Sequence, residues 1–382
     1  MAEWAFWLAA CWLALLTCCV WACLAEALRL ARRPAPAPEA LSGMTLIKPV
    51  KGLDPGLAQN LESIALSDPG SRVQVIVAVE SREDPAAEVA FEFQRKHPER
   101  DILVLLTGPS GTRMGKAHNM IRALPRASHP LVIFSDSDAL TSPELLAQTS
   151  QAFAEGCDAV FAAPLQRRGR AAAGALMEAA MNHTFSLGAA LGWRALGFTH
   201  CAGAWMAYRR EIIERSGGLE PIANAVADDF ALSRRVARAG ARGRLIAAPV
   251  WLRQSGESLG ETVVHLVKWS RIIRCSLPSV YSLLPLFNPA AAALAALALA
   301  FCCGRHLQAA WLLTGLFLVS RAAAAWLHDA LLGEGARRWP WYLGLAFVDF
   351  GALAFWASGF GSTIRWRGTT YRLDWDGRCK VI

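Results

Sequence analysis

The chain has 382 residues, of which 54% are hydrophobic, and a mean hydropathy of +0.28. That length holds one sizeable domain and leaves residues over for membrane segments. The formal charge is +8, but the basic residues flank apolar spans and do not form aromatic-interleaved stripes, so they point to an anionic membrane surface and away from nucleic acid.

In chain order, Trp4 to Leu28 is almost continuously apolar and long enough to cross a bilayer, which takes roughly 20 residues. Glu3 at its start and the lack of a basic leader argue against a cleaved signal peptide. Arg29, Arg32 and Arg33 follow at once, so the positive-inside rule sets the N-terminus outside and the next residues in the cytosol. The first 30 residues are thus read as an anchor, and Pro34 to Pro38 as a stiff spacer within a linker over 31–43. Six cysteines (Cys11, Cys18, Cys19, Cys23, Cys302 and Cys303) lie in apolar stretches. The other four, Cys157, Cys201, Cys275 and Cys379, have no metal-ligand spacing, which suits a reduced cytosolic domain.

Over 44–278 short β-branched runs alternate with helical stretches, the pattern of an α/β domain. Strands are expected at Thr45–Ile47, Val73–Val79, Ile102–Leu106, Leu131–Phe134 and Ala159–Ala162. Helices are expected at Gly56–Ala65, at Pro85–His97 with Asp84 as its cap, and at about Lys116–Leu124. No G-x-G-x-x-G or Walker loop is present, so metal and basic side chains must hold any phosphate. The fourth strand ends in Asp136-Ser-Asp138, at the carboxyl edge where open α/β sheets bind ligands. Two carboxylates at i, i+2 there can face one hard cation, Mg²⁺ or Mn²⁺, which keeps positions for phosphate oxygens. The tripeptide also occurs in ordinary solvated turns, so its weight comes from context.

Ala171 to Trp193 reads either as a core helix or as an interfacial helix beside a lipid acceptor. Asp228-Asp229 open a further helix, where acidic residues are commonly just dipole partners. After a strand around Leu245 to Trp251, His265, Lys268, Arg271 and Arg274 lie near one helical face, with Trp269 beside them. That helix is either a juxtamembrane anchor or a diphosphate clamp with an aromatic wall. Three apolar stretches, Leu283 to Cys303, Leu307 to Leu327 and Trp341 to Phe360, fill 279–362, and a basic tail occupies 363–382. Either all three cross and the tail ends outside, against the positive-inside rule, or one of them, with the first and its Pro285 and Pro289 as the candidate, is re-entrant or interfacial. Arg321 and Asp349 are intramembrane charges, expected to be buried against protein.

Lys48-Pro-Val-Lys-Gly-Leu-Asp-Pro55, Glu83-Asp-Pro85, Asp136-Ser-Asp138, Asp228-Asp229 and the His265 to Trp269 motif occur in the order found in ceramide glucosyltransferases. The chain also looks like the bacterial enzymes that glycosylate hopanoids. The resemblance covers about Thr45 to Arg274, and the architecture matches beyond it. It implies an α/β GT-A nucleotide-sugar-binding domain with transmembrane helices at both ends, a divalent metal, a UDP-sugar donor and a membrane-lipid acceptor. It also implies an integral membrane protein with its catalytic domain on the cytoplasmic side. Position by position it implies Asp84 near the uracil, Asp136 and Asp138 as nucleotide and metal carboxylates, Asp229 as the catalytic base, and Lys268 and Trp269 in place of a closing Arg-Trp. Lys48, Pro49, Lys116, Asn119 and Arg271 join them as donor-site candidates. The chain departs from the family at His265, where Gln or Arg is usual, at Asp228, where Glu is common, and at Lys268, a point charge without the fork of arginine. The implied activity is inverting transfer of glucose from UDP-glucose to ceramide. A hopanoid N-acetylglucosaminyltransferase is the alternative within the fold, and an inactive, membrane-anchored nucleotide-sugar-binding scaffold is the alternative from another class.

Overall fold

A computed structural model describes residues 2–33, 42–169, 171–197, 199, 201–253, 256, 258–366, 368–375 and 377–382; the Pro34 to Pro38 spacer lies outside them. Helix α1 (Ala2–Ala31) is followed by β1 (Met44–Pro49), α2 (Leu57–Ser67), β2 (Val73–Val79), α3 (Pro85–Lys96), β3 (Ile102–Leu106), α4 (Gly115–Ala123) and β4 (Leu131–Ser135). Strands β1, β2 and β4 are buried at every position, which is why β2 and β4 read as near-continuous apolar runs without alternation. Asp84 caps α3 as its sequence foretells: its Oδ1 accepts from Ala86 N at 2.9 Å, with Pro85 opening the helix.

The middle of the chain forms β5 (Ala139–Leu140), α5 (Pro143–Ala154), β6 (Ala159–Phe161), β7 (Pro164–Gln166), α6 (Ala172–Ala180), a π-helical turn (Met181–Ser186), α7 (Leu187–Ala195), β8 (Trp205–Arg209), α8 (Arg210–Arg215), α9 (Asp228–Arg238), β9 (Gly243–Leu245) and β10 (Val250–Leu252). Among the described residues the main sheet has seven strands in the order β3-β2-β1-β4-β8-β6-β9, and β5, β10 and β7 form a smaller one. The strands from β3 to β4 run parallel, but β8 is antiparallel to β4 and β6, with Trp205 opposite Ser135. This reversal brings the start of β8 to the edge where β1, β2 and β4 end. The expected single strand near Leu245 to Trp251 is two, β9 in the main sheet and β10 in the smaller. Pro249 follows a break in which Gln148 Oε1 accepts from Ala247 N at 2.9 Å and Ala248 N at 2.8 Å, so a side chain replaces the ladder there.

The remaining elements are α10 (Leu259–Ser276), α11 (Pro278–Leu283), α12 (Pro289–Cys303), α13 (Leu307–Leu331), α14 (Trp339–Leu343), α15 (Leu345–Ser358), β11 (Thr363–Trp366), β12 (Thr369–Leu373) and β13 (Cys379–Val381). Phe6 and Ala9 of α1 pack with Ala296, Ala300 and Ala310, Leu13 and Leu16 with Ala292, Ala293 and Phe317, and Leu24 with Ala324. Helix α12 therefore runs antiparallel to α1, and α13 parallel to it. The alanines of α12 let the three helices approach closely, the usual device where no hydrophobic effect pulls helices together. By length and hydropathy α1, α13 and residues 339–358 could each cross a membrane, while α11 and α12 meet at a 56° bend.

Helix α15 nonetheless stays at one level. Its start packs on Ala179 of α6 as well as on α13, and its last turn accepts bonds from α10: Phe355 O from Ser270 Oγ at 2.7 Å and Ser358 O from Arg271 Nε at 3.3 Å. Both ends are thus held by helices at the base of the α/β part, and α15 does not carry the chain to the far side. Polar groups of α10 hold the C-terminal carbonyls of this last stretch, and the break among the three stretches falls in the first, at the bend before Pro289. Arg321 and Asp349 meet across α13 and α15, Nε to Oδ2 at 3.1 Å. The stretch expected as a tail is a small antiparallel sheet. Ile364, Tyr371, Leu373 and Cys379 point inward and Arg365, Arg372 and Lys380 outward, a period of two. Its edge joins the α/β part through Val226 N to Gly377 O and Cys379 N to Asn224 O, both 3.0 Å.

This arrangement predicts that, in a cysteine-free background, Lys380→Cys and Lys96→Cys react with an impermeant maleimide from one side of the membrane and Arg305→Cys from the other. Labelling of Lys380→Cys together with Arg305→Cys would reverse the placement of α15.

Candidate active site

The acidic residues singled out in the sequence converge at the sheet edge. Asp136 follows β4 directly, and Asp228 and Asp229 form the first turn of α9. Lys116, on α4, joins them: its Nζ lies 2.7 Å from Asp136 Oδ1 and 3.1 Å from Asp228 Oδ2. Burial works against that ammonium, but Asp136, Asp228 and Asp229 outweigh it and hold Lys116 well above the ordinary lysine range. Gly203, just ahead of β8, presses into the same cluster. A Cβ there would sit 2.8 Å from Lys116 Nζ and 3.4 Å from both Asp136 Oδ2 and Asp229 Cβ, so no larger residue fits without displacing the lysine.

Asp138 faces a different set of groups. Desolvation, reinforced by Asp136 and Asp54 and opposed by Lys48, pushes its carboxyl up to about 6. Asp54 accepts a short hydrogen bond from Ser137 Oγ, which brings a third carboxylate to the Asp-x-Asp turn. Asp228, buried beside Asp229 and Asp136, is likewise pushed up to about 6 despite Lys116. Asp229 is half-buried, and its Oδ1 accepts from Phe230 N at 2.7 Å.

The donor-site candidates divide. Lys48 is fully buried and donates to Asp136 O at 2.6 Å and Ala139 O at 3.0 Å, with Ser135 Oγ at 3.4 Å. Its ammonium therefore straps the Asp-x-Asp turn to β1, so this donor-site candidate supports the turn from within. Burial lowers its pKa to about 8, partly offset by Asp138, Asp136 and Asp54. Pro49 closes β1. Asp84 accepts from Gly52 N with both oxygens, at 2.9 and 3.1 Å, and so holds the Lys51-Gly52 loop, where Gly52 has φ 68°. Asn119 is buried as well; it donates to Ala78 O at 3.1 Å and accepts from Thr107 Oγ1 at 2.7 Å, tying the ends of β2 and β3 to α4. Lys51 pairs with Glu80 at 3.1 Å, and Glu80 also accepts from Ser110 N at 2.9 Å.

On α10 the expected clamp is dispersed. Arg271 Nη1 donates to Thr363 O at 2.6 Å and Arg274 Nε to Gly359 O at 2.7 Å. These two arginines bind the C-terminal segment, since each faces backbone carbonyls where the chain leaves α15; Arg271 is thus a fastener and does not stand in the expected place at a diphosphate. Lys268 Nζ lies 4.8 Å from the Trp366 ring centroid, His265 stacks edge-on to Trp269 at 4.7 Å, and Trp269 packs on the main core. Sequence reasoning gave Asp54 no role and missed Glu80, Gly203 and the C-terminal sheet, whose Ile364, Tyr371, Leu373 and Cys379 pack with Met114, Ala117 and Val226, next to Lys116 and Asp228. The signal for that sheet was the period of two in Thr363 to Leu373.

The carboxylate cluster stands at the carboxyl edge of a parallel-rich sheet, where open α/β folds bind their ligands. The chain belongs to glycosyl transferase family 21, whose model matches residues 4–379. It is 26% identical over 262 residues to Ceramide glucosyltransferase 1 of Caenorhabditis elegans, covering 68% of this chain and 55% of that protein. Ceramide glucosyltransferase 3 of the same organism is 24% identical over 250 residues, 64% of this chain and 54% of that one. The chain thus spans about half the length of these curated relatives. In fold it is similar to a mannosyltransferase from Pyrobaculum calidifontis solved with GDP-Man and Mn²⁺, at TM-score 0.51 and 21% identity, over 89% of this chain and 98% of that one.

Lys48→Met leaves buried carbonyls unpaired and should lower stability by about 1–3 kcal/mol, read as a fall in Tm of the detergent-solubilised protein. A second expectation concerns pH. With Asp138 and Asp228 raised to about 6 from 3.8, these two groups hold protons in the folded chain that they release on unfolding, so their contribution to metal-free stability should fall as pH rises from about 4 to 6. Asp54→Asn removes one of the charges raising Asp138 and should flatten that fall; an unchanged Tm profile would discount Asp54 as a neighbour.

Proposed function

We propose that the protein transfers glucose from UDP-glucose to the primary hydroxyl of ceramide, with inversion and with a divalent metal, on the cytoplasmic face of the membrane. The observation that carries this reading is the gathering of Asp136, Asp228 and Asp229 around Lys116 and Gly203, with Asp138 next to Asp136 and Asp54, in a family 21 chain whose relatives include ceramide glucosyltransferases.

The residues fit a hard cation. Asp54 and Asp136 crowd Asp138 with negative charge, while Lys116 is engaged by Asp136 and Asp228 and Lys48 by carbonyls. A divalent ion held by Asp138 with Asp136 would supply the positive charge that a departing diphosphate needs. The protein's own groups do the rest. Lys116 fixes the orientation of Asp136 and keeps the ends of β4 and α9 together. Asp84 and the Lys51-Gly52 loop shape the place for the nucleobase, and Lys268 with Trp269 takes the family's closing basic-aromatic position. Asp229, steadied by Phe230 N, accepts the hydroxyl proton as the acceptor oxygen attacks the anomeric carbon from the face opposite the diphosphate.

A lipid acceptor suits the base of the molecule. Val264 and Ile273 on α10, Val280 on α11 and Phe347 on α15 are exposed apolar side chains beside the three-helix bundle, as lipid contact requires. The same base suits a hopanoid polyol, with UDP-N-acetylglucosamine as donor, and that is the second reading.

Membranes containing the protein should form hexosyl-ceramide from UDP-glucose when ceramide is added, detected by mass spectrometry. A sugar found only on a hopanoid polyol would transfer the assignment to the second reading, and neither product with any UDP-sugar would favour the inactive scaffold. Asp229→Asn should lower turnover by about 10² to 10⁴-fold with donor binding kept; near-normal turnover removes it as the base. Asp138→Ala should abolish the Mn²⁺ dependence of donor binding, measured by titration.

A further inference from the structure

Away from the carboxylate cluster, the π-helical turn meets the end of α13 in a second group of ionisable side chains. His183, His328 and Asp329 are all buried there, with side-chain exposures of 0%, 3% and 4%, and one potential ligand atom from each lies within 4.8 Å of the others. Neither ring nitrogen of His183 has a hydrogen-bond partner at bonding geometry among the described residues. A wholly buried imidazole with both nitrogens unanswered is costly unless something binds it.

The spacing says what that would be. Asp329 Oδ1 lies 3.4 Å from His183 Nε2 and 3.4 Å from His328 Nδ1. The second is a long hydrogen bond between neighbours on α13, and the first lies outside bonding geometry. Both separations match the edge of a tetrahedron whose ligand bonds are ~2.1 Å, which is about 3.4 Å. The other carboxylate oxygen is already satisfied: Tyr342 Oη donates to Asp329 Oδ2 at 2.9 Å and itself accepts from Arg337 N at 2.8 Å. That is the outer support a ligating carboxylate usually has, and it leaves Oδ1 aimed at the two histidines. Arg321 donates to His183 O at 2.8 Å, and its charge is met by Asp349. The π turn places His183 in this position, and such turns commonly mark functional sites.

We propose that His183, His328 and Asp329 bind a single Zn²⁺ ion, distinct from any metal at Asp138. Two imidazoles and one carboxylate suit zinc and not the all-oxygen preference of Mg²⁺ or Mn²⁺. The fourth position is left to water. The ion joins α13 to the helix that follows β7, whose Gln166 exchanges two hydrogen bonds with Asn182 at 2.7 and 3.0 Å. Through β7 and β10 it thereby steadies β5, the strand directly after Asp138.

The test is the metal content of the purified full-length protein after a chelator wash. About one zinc per chain should remain in the wild type and in Asp138→Asn, and be lost in His183→Gln and His328→Gln. Absence of zinc from the wild type, or its retention in both histidine variants, overturns the site. If those variants do not fold, the Co²⁺-loaded wild type decides: the intense visible bands of a tetrahedral ion and imidazole scattering in X-ray absorption support the site. A weak octahedral spectrum with oxygen ligands alone rules it out, leaving a hydrogen-bonded triad.

Discussion

The ammonium of Lys116 is the interaction on which the site depends. Four carboxylates from β4, its following turn and α9 crowd one edge of the sheet, and like charges so close would drive the elements apart or force protons onto them. One buried cation between Asp136 and Asp228 cancels enough of that repulsion for the edge to close. The bare backbone at Gly203 gives the lysine its room. Lys48 does complementary work beneath, where its charge meets carbonyls and fixes the path of the turn that carries Asp138. The two lysines are alike in sequence yet differ in effect, because one faces carboxylates and the other faces peptide dipoles.

Much of the α/β half was legible in the sequence. The runs Val73–Val79 and Ile102–Leu106 coincide with β2 and β3, and the cap at Asp84 and the strand end before Asp136 stand where their chemistry put them. These are local signals: apolar period, a capping carboxylate, proline at a first helical position. What could not be read was set by distant partners. Trp205 to Arg209 became an antiparallel central strand through pairing with β4 and β6, far away in sequence. Arg271 has the charge and spacing of a phosphate ligand, and only the return of the chain at Thr363 shows that carbonyls claim it. The family motif brought Asp54 into view without a role, which only its contact with Ser137 supplies.

The membrane half shows the same division between composition and context. Hydropathy finds α1, α13 and residues 339–358 alike as long and apolar enough to cross, whereas hydrogen bonding at the end of α15 ties that helix to α10 of the α/β part. The buried pair Arg321 and Asp349 stands where α13 and α15 meet. Polar groups in an apolar region have few places to go, so they set which helices must be neighbours.

The return of the C-terminal sheet onto α4 and the segment before α9 means that the α/β part is stapled to the helical base from both directions, through α1 ahead of it and α10 to β13 behind it. A catalyst fastened in this way has no freedom to lift off and sample bulk solution. For an acceptor dissolved in the bilayer, the encounter is then a search in two dimensions, and the quantity that sets its frequency is the mole fraction of acceptor among the surrounding lipids, not its concentration in the suspension. Diluting the membrane with inert lipid would slow such an enzyme, whereas diluting the vesicles with buffer would leave each one's pace untouched.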